Sequence, residues 1–298
     1  MTSALARPGA TPRRIAYLGT PEVAVPTLRA IHAAGFEIPI VVSRPDRRRG
    51  RGGALSPSPV KAAALELGLE VTDDLAALVR HDVDLAVVVA YGRIIPTALL
   101  EHIPMVNLHF SLLPRWRGAA PVERALLAGD THTGVCLMAV AEGLDTGDVY
   151  ATATTDIAGD DTLETLRSRL VAAGTDLVLQ ALREGFGEPR PQVGEPITAT
   201  KIDPAELELD WTAPAQQLSR LVRLGGARTT FRGRLLKVWA ARVVHRQDLA
   251  PGHLDGVVVG TGDGALELVE VQVEGRGRVA AADWRNGVRP TDEDRLGR

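Results

Sequence analysis

Leu85-Ala86-Val87-Val88-Val89-Ala90 is six residues without a polar side chain. A strand with one wet face alternates apolar and polar residues. An unbroken apolar run of this length belongs to a strand covered on both faces. Such a strand needs helices above and below its sheet, and the flanking sequence supplies them. Residues 14–19 (Arg-Ile-Ala-Tyr-Leu-Gly) read as a first buried strand. A helix then runs through Val25, Leu28 and Ile31, capped by Thr20, with Pro21 at its first position and Gly35 as its stop. A second strand is expected over 38–43, helices over 59–67 and 74–80, a strand over 105–110 and a helix over 119–127. Between the second strand and the helix at 59, residues 44–57 read as a Gly/Arg/Pro loop too polar to pack. Alternation at this spacing predicts an α/β domain built on a doubly wound, mostly parallel sheet. Such sheets take ligands at the carboxyl ends of their strands. Tyr91-Gly92 and Phe110-Ser111 both fall there and are expected to line one crevice. Two more strands (133–140 and 149–157) and a long amphipathic helix (162–183) close the domain.

After residue 186 the pattern changes. Pro189, Pro191, Pro196 and Pro204 punctuate a polar stretch that reads as a linker. A short helix over 214–224 follows. Short strands over 235–240, 256–259, 265–273 and 277–280 then alternate with Gly-rich turns, the pattern of a small β-barrel of the oligonucleotide-binding type. The expected organisation is an N-terminal extension over 1–13, a first domain over 14–187, a linker over 188–206 and a second domain over 207–298. A chain of 298 residues suits two domains. The extension has no apolar segment of a secretory signal and is expected to be flexible. One cysteine, Cys136, excludes an internal disulfide. No apolar run reaches the roughly 18–20 residues of a membrane span. Both observations favour a cytoplasmic protein. Val135 and Leu137 make Cys136 a strand-core residue rather than a nucleophile.

The formal net charge is −3, but it is unevenly spread. Residues 213–246 hold Arg220, Arg223, Arg228, Arg232, Arg234, Lys237, Arg242 and Arg246 with no acid. Residues 44–51 hold Arg44, Arg47, Arg48, Arg49 and Arg51 against Asp46 alone. The remainder of the chain is therefore strongly acidic. A split of this kind predicts two patches that face a polyanion.

The chemistry concentrates in Val106-Asn107-Leu108-His109-Phe110-Ser111-Leu112-Leu113-Pro114. On a strand, the period of two puts Asn107 and His109 on one face. An amide beside an imidazole at a strand end is either a satisfied polar pair or a site that stabilises an oxyanion and moves protons. An acid, Asp145, follows in Gly143-Leu144-Asp145-Thr146-Gly147-Asp148. The bland reading of Asp145 is a turn carboxylate bonded to its own backbone; Asp148 is expected to take that role instead. Other occupants of the crevice are excluded. Leu18-Gly19-Thr20-Pro21-Glu22 lacks the second and third glycines of a dinucleotide fingerprint, no P-loop is present, and the histidines lack metal-ligand spacing.

Beyond these residues, Gly19-Thr20-Pro21, Arg44-Pro45-Asp46-Arg47, Pro57-Ser58-Pro59-Val60-Lys61, Val88-Val89-Ala90-Tyr91-Gly92, the long run from Asn107 to Pro121 and Leu144-Asp145-Thr146-Gly147 together resemble the methionyl-tRNA formyltransferase family. The resemblance spans about residues 14–285. It implies a Rossmann-like formyltransferase domain followed by an OB-like β-barrel. It also implies transfer of the formyl group of 10-formyltetrahydrofolate to the α-amine of methionyl-initiator tRNA, without a metal. Asn107, His109 and Asp145 inherit the catalytic roles. Ser111, Leu112, Leu113 and Pro114 inherit folate contact, with Tyr91 and Gly92 across the crevice assigned to the same ligand. Arg44, Arg47, Arg48, Arg49 and Arg51 inherit contact with the acceptor stem. Arg220, Arg223, Arg232, Arg234 and Lys237 fall in the tRNA-binding second domain, and a monomer is expected. The chain departs from the family pattern at Phe110, where Gly is commonest, and at Leu224-Gly225-Gly226-Ala227-Arg228, where many members have a Pro/Trp-rich turn. Two alternatives remain. The same site in sugar-nucleotide formyltransferases or 10-formyltetrahydrofolate hydrolases serves another acceptor; the basic second domain argues for tRNA. A non-catalytic RNA-binding protein on this scaffold is opposed by the intact Asn107/His109/Asp145 set.

Overall fold

A computed structural model describes residues 5–49 and 53–297. Its contacts divide the chain into two units. Unit 1 takes in Met1–Val122, His132–Asp156 and Arg167–Thr200; unit 2 takes in Glu123–Thr131, Ile157–Leu166 and Lys201–Arg298.

In chain order the elements up to residue 199 are β1 (Ile15–Gly19), α1 (Val25–Ala33), β2 (Val41–Val42), β3 (Arg47–Arg49), β4 (Ala54–Ser56), α2 (Pro59–Glu66), β5 (Val71–Thr72), β6 (Leu85–Val89), α3 (Thr97–Leu100), β7 (Met105–His109), β8 (Arg117–Gly118), α4 (Pro121–Ala128), β9 (His132–Ala139), β10 (Val149–Asp156), α5 (Leu163–Glu184) and β11 (Thr198–Ala199). A seven-stranded sheet runs in the order β10-β9-β7-β6-β1-β2-β5. Strands β5, β2, β1, β6 and β7 are parallel, and β9 and β10 run antiparallel to their neighbours. Every residue of β1 and β6 is buried, as their continuous apolar composition requires. From β1 the chain winds outward to β2 and β5, then returns to β6 on the other flank of β1. The winding therefore reverses between β1 and β6, which is where open sheets of this class bind ligands. Gly19 and Val89 pair at that end.

Three local expectations change. Thr20 does not cap a helix; its hydroxyl donates to the Tyr91 carbonyl at 3.0 Å and ties the end of β1 to the end of β6. A short 3-10 turn, Glu22–Ala24, leads into α1 instead. Residues 44–57 are not all loop: β3 and β4 form a hairpin, with Arg47 opposite Ser56 and Arg49 opposite Ala54. Its strands satisfy each other's backbone groups, so this polar segment needs no core. Leu75–Arg80 is a 3-10 helix, capped by Asp74 accepting from Ala76 N at 2.9 Å. At the N-terminus, Ala6 N donates to Leu100 O, and the backbone amides of Arg13 and Arg14 donate to Asp84. In the Pro-rich stretch, Arg190 and Val149 exchange backbone bonds, and β11 pairs with β8.

Unit 2 continues with α6 (Ala215–Leu224), β12 (Arg228–Phe231), β13 (Arg234–Val244), β14 (Leu254–Asp255), β15 (Val258–Gly260), β16 (Ala265–Val273), β17 (Val279–Ala280) and α7 (Ala281–Val288). Its antiparallel sheet has the order β12-β13-β16-β15-β14, with β17 on β16. Arg232 and Gly233 make the β12–β13 turn with φ of 49° and 71°, the two left-handed residues that match the twist of a hairpin. Leu218 and Val222 of α6 join Leu236, Val238, Leu266 and Val271 in the core. Burying each such side chain contributes about 1.5–3 kcal/mol. The buried Trp211 indole donates to Thr229 Oγ1 at 2.9 Å, which satisfies its polar atom. Neither β12 nor α7 was legible as an element. Trp284 of α7 packs edge-to-face on Phe231 at 5.1 Å between ring centroids. Leu296 bridges Phe231 of β12, and Arg295 bridges His253 beside β14. Residues 295–296 thus touch both outer margins of the sheet. Among the described residues, no helix is long and apolar enough to cross a membrane.

Candidate active site

Strand β7 delivers the polar pair. Val106 and Leu108 are buried, as is His109 at 5% exposure, and Asn107 is half-buried. Asn107 sits opposite Val88 of β6 and Met138 of β9, and His109 sits opposite Cys136 of β9. The imidazole has a polar neighbour at each nitrogen. Nε2 lies 2.8 Å from the Trp116 carbonyl oxygen. A carbonyl can only accept, so Nε2 carries a hydrogen. Nδ1 faces Asp145 Oδ2 at 3.5 Å. The Asn107 side chain has no hydrogen-bond partner among the described residues, which leaves its amide open for a ligand.

Asp145 comes from a turn 27 residues beyond Gly118, whose backbone N–H donates to Oδ2 at 2.8 Å. The carboxylate is therefore not bonded to its own turn. Thr146 holds the turn instead, its hydroxyl donating to Gly143 O at 3.0 Å; Asp148 contributes its backbone carbonyl, which accepts from Ala139 N at 2.8 Å. Gly147 has no alternative here, because a Cβ would lie 1.9 Å from the Ala139 carbonyl oxygen. Asp145 itself is left-handed at φ 53°, as is Trp116 at φ 63°. Such conformations persist where the surroundings over-determine them, and they cluster at functional sites.

The turn after β7 is built to hold that geometry. Ser111 is fully buried, and its hydroxyl donates to Arg115 O at 2.6 Å. The Leu113–Pro114 peptide is cis. Leu112 lies so close to Gly134 of β9 that a Cβ there would come within 2.5 Å of Leu112 Cδ2. Leu112, Leu113 and Pro114 remain half-buried, and Phe110 is buried. Across the switch point, Arg44 Nη1 donates to Gly92 O at 3.1 Å. The Tyr91 ring packs into the core with Leu18, Val42 and Leu78, and burial holds its phenol above the usual range. Burial also pushes the Cys136 thiol up to about 11.

The arginines divide into two groups. Arg47 and Arg48 are exposed on the β3–β4 hairpin, and Arg48 donates to Gly53 O at 2.9 Å. Arg49 lies in β3, and Arg51 lies outside the described residues. In unit 2, by contrast, Arg220 sits over Gly129 and donates to the Leu127 and Ala128 carbonyls at the end of α4. Arg223 donates to Ala158 O and Asp161 O at 3.2 and 3.3 Å. Arg232 grips Asp294 in a bidentate pair at 2.7 and 2.6 Å. Arg246 pairs with Asp248 and Asp255. The segment without an acid in sequence is thus matched by acids from elsewhere in unit 2. Arg234 and Lys237 are less engaged. Arg234 donates to Glu274 O at 3.5 Å, and Lys237 lies 5.7 Å from the Trp239 ring centroid, with Arg278 over the same ring at 3.5 Å. Arg278 and Trp239 were not singled out from the sequence; nor were Arg117 and Gln192, which bond to each other beside Asp145. No group of three or more His, Cys, Asp or Glu that could hold a metal ion occurs among the described residues.

Known proteins with similar sequences and folds now bear on this geometry. A formyl transferase family model matches residues 13–182, and a formyl transferase C-terminal domain model matches residues 201–289. The chain is 45% identical to the methionyl-tRNA formyltransferase of Jannaschia sp. (strain CCS1) over 294 residues, covering 93% of this chain and 97% of that one. It is also 45% identical to the methionyl-tRNA formyltransferase of Streptomyces coelicolor over 309 residues, covering 95% and 99%. Among solved structures, the N-formyltransferase from Helicobacter canadensis in complex with folinic acid and dTDP-3-aminofucose is similar in fold. Its TM-score is 0.66 at 15% identity, over 87% of this chain and 97% of that one.

Proposed function

The chain belongs to the methionyl-tRNA formyltransferase family, and from that premise we propose that it moves the formyl group of 10-formyltetrahydrofolate onto the α-amine of methionyl-initiator tRNA, giving N-formylmethionyl-tRNA. The observation that carries this reading is the meeting of Asn107, His109 and Asp145 at the carboxyl end of β7.

The donor supplies a formyl carbon that bonds to the amine nitrogen as its bond to the folate nitrogen breaks. Asn107 has the unengaged N–H suited to donate to the carbonyl oxygen as negative charge grows there. Losing one such donor costs roughly 100–1,000-fold in rate. His109 is less suited to that role, because its Nε2 hydrogen is committed to Trp116 O. Its Nδ1, beside the Asp145 carboxylate, is the atom that takes or holds a proton. The attacking amine must lose a proton and the leaving nitrogen must gain one, and the His109–Asp145 pair serves both transfers. Gly118 N–H keeps the carboxylate aimed at the ring. The half-buried Leu112, Leu113 and Pro114 offer an apolar wall for the folate. Gly92 contributes backbone only, and Tyr91 stiffens the crevice from the core side.

Arg47 and Arg48 on the hairpin, with Arg44, are the acceptor-stem contacts of this reading. Lys237 and Arg234 extend RNA contact to unit 2. The bridges of residues 295–296 to both sheet margins support a barrel of the OB type there. Residues 14–187 form the catalytic domain and 207–298 the RNA-binding domain of a cytoplasmic monomer. A formylation assay with 10-formyltetrahydrofolate tests the acceptor. Methionyl-tRNA, uncharged tRNA, amino-sugar nucleotides and water are offered in parallel. Transfer to methionyl-tRNA alone is expected; transfer chiefly to an amino sugar or to water would overturn the assignment.

A further inference from the structure

We infer that Gln192 is a positioning residue that fixes the Asp145 carboxylate beside His109. The inference rests on the proposed formyl transfer and adds a residue to its machinery. A glutamine amide has two N–H donors and an oxygen with two lone pairs. Gln192 uses all four. Nε2 donates to the backbone carbonyl of Asp145 at 2.9 Å and to that of Gly147 at 2.8 Å. Oε1 accepts from Arg117 Nε at 3.0 Å and Nη2 at 2.6 Å. The amide therefore grips both sides of the turn that carries the acid.

Its other end is tied to Arg117, the residue before Gly118. Gly118 N–H is what holds the Asp145 side chain. Backbone and side chain of Asp145 are thus referred to one frame, the short strand β8. That frame is itself anchored, because Arg117 and Gly118 pair with Thr198 and Ala199 of β11, on the same stretch of chain as Gln192. Arg190, two residues before Gln192, exchanges backbone bonds with Val149 at 2.8 and 2.9 Å, just past the acid's turn. Such a brace suits Asp145, whose φ of 53° lies in the left-handed region that few non-glycine residues adopt. The carboxylate also has one hydrogen bond to the backbone and a 3.5 Å approach to the ring, so a small rotation of the turn would open the pair. A misplacement of about 1 Å can cost on the order of 100-fold in rate.

The test is a double-mutant cycle on the full chain. Gln192→Met keeps the length of the side chain and removes all four bonds. It is expected to lower kcat about 10- to 100-fold while the KM values for 10-formyltetrahydrofolate and methionyl-tRNA stay within about twofold. Added to Asp145→Asn, it should cost little more than Asp145→Asn alone, because the residue being positioned is already disabled. Full kcat in Gln192→Met, or the same fold-loss with and without Asp145→Asn, would overturn the inference. If Gln192→Met shows no cooperative thermal transition, Arg117→Lys replaces it in the cycle; that change removes the forked donor to Oε1 and leaves the Gln192 donors in place. The two levels separate cleanly. Failure of the wild-type chain to formylate methionyl-tRNA would sink the proposed function itself, and normal turnover in Asp145→Asn would remove Asp145 from its centre. A slowed but measurable Asp145→Asn with additive Gln192→Met would sink only the role of Gln192.

Discussion

Polar side chains are held differently around the β7 turn and along residues 213–246. Around the β7 turn, the side chains of His109, Ser111, Asp145 and Gln192 bond to backbone groups, and Asn107 is left with an open amide. Along 213–246, arginines bond to carboxylates and to chain carbonyls: Arg232 to Asp294, Arg246 to Asp248 and Asp255, Arg220 and Arg223 to carbonyl oxygens. The first arrangement fixes side chains at the carboxyl end of β7. The second consumes charge in folding. A residue count measures neither, so a basic segment is a poor guide to a basic surface, whereas the spacing Asn-x-His fixes a shared direction on any strand.

The largest effect that sharpens this contrast falls on the open and aimed groups. Asn107→Ala, through loss of the oxyanion donor, and His109→Ala and Asp145→Ala, through loss of proton transfer, are each expected to lower single-turnover formylation by at least roughly 100-fold while folate binding by equilibrium titration is retained. Near-normal turnover in any one of them removes that residue from the centre. The next effect separates the two classes of arginine. Neutralising Arg47 and Arg48 should weaken tRNA binding and flatten its salt dependence by about one unit of slope per lost phosphate contact. Neutralising Arg220 or Arg232 should instead lower the thermal midpoint and leave the salt slope alone. Equal loss of slope in both sets would erase the distinction between them.

Two smaller effects probe the quiet members of each region. Cys136 is the cross-strand neighbour of His109, yet burial pushes its thiol up to about 11. Cys136→Ala should keep near-wild-type turnover, and alkylation of the folded protein at neutral pH should be slow. The hydrogen bond from Arg232 holds the Asp294 carboxyl well below the usual range, with help from Thr291. A depressed folded value stabilises at pH above the unfolded pKa and is lost as pH falls through the folded one. Asp294→Asn should therefore lower the thermal midpoint slightly near pH 7, and that deficit should close only in strong acid, well below the ordinary carboxylate range of about 4.

The parallel sheet was legible because β1 and β6 are apolar without interruption, a pattern that burial on both faces demands. The proximity of His109 and Asp145 was legible only through resemblance, since no local rule links Asp145 to His109 across a turn, whereas spacing alone set Asn107 and His109 on one face of β7. The hairpin β3–β4 was hidden by its composition, as its strands pair over backbone and carry no apolar face. Strand β12 was hidden because Arg228-Thr229-Thr230-Phe231 lies within a charge run. Helix α7 had only Ala281, Trp284 and Val288 at helical spacing. Gln192 gave no signal at all: its partners are two backbone carbonyls and an arginine far away in sequence, in a stretch whose prolines read as a linker.

The central claim is that an open Asn107 amide and an aimed His109–Asp145 pair perform the transfer. A single-turnover experiment with full-length protein in excess over methionyl-initiator tRNA, at saturating 10-formyltetrahydrofolate, tests it most directly. The wild-type chain should convert the bound tRNA to N-formylmethionyl-tRNA in one exponential phase. Asn107→Ala should bind the same tRNA with unchanged affinity and convert it at least roughly 100-fold more slowly. Equal rates in the two proteins would contradict the claim.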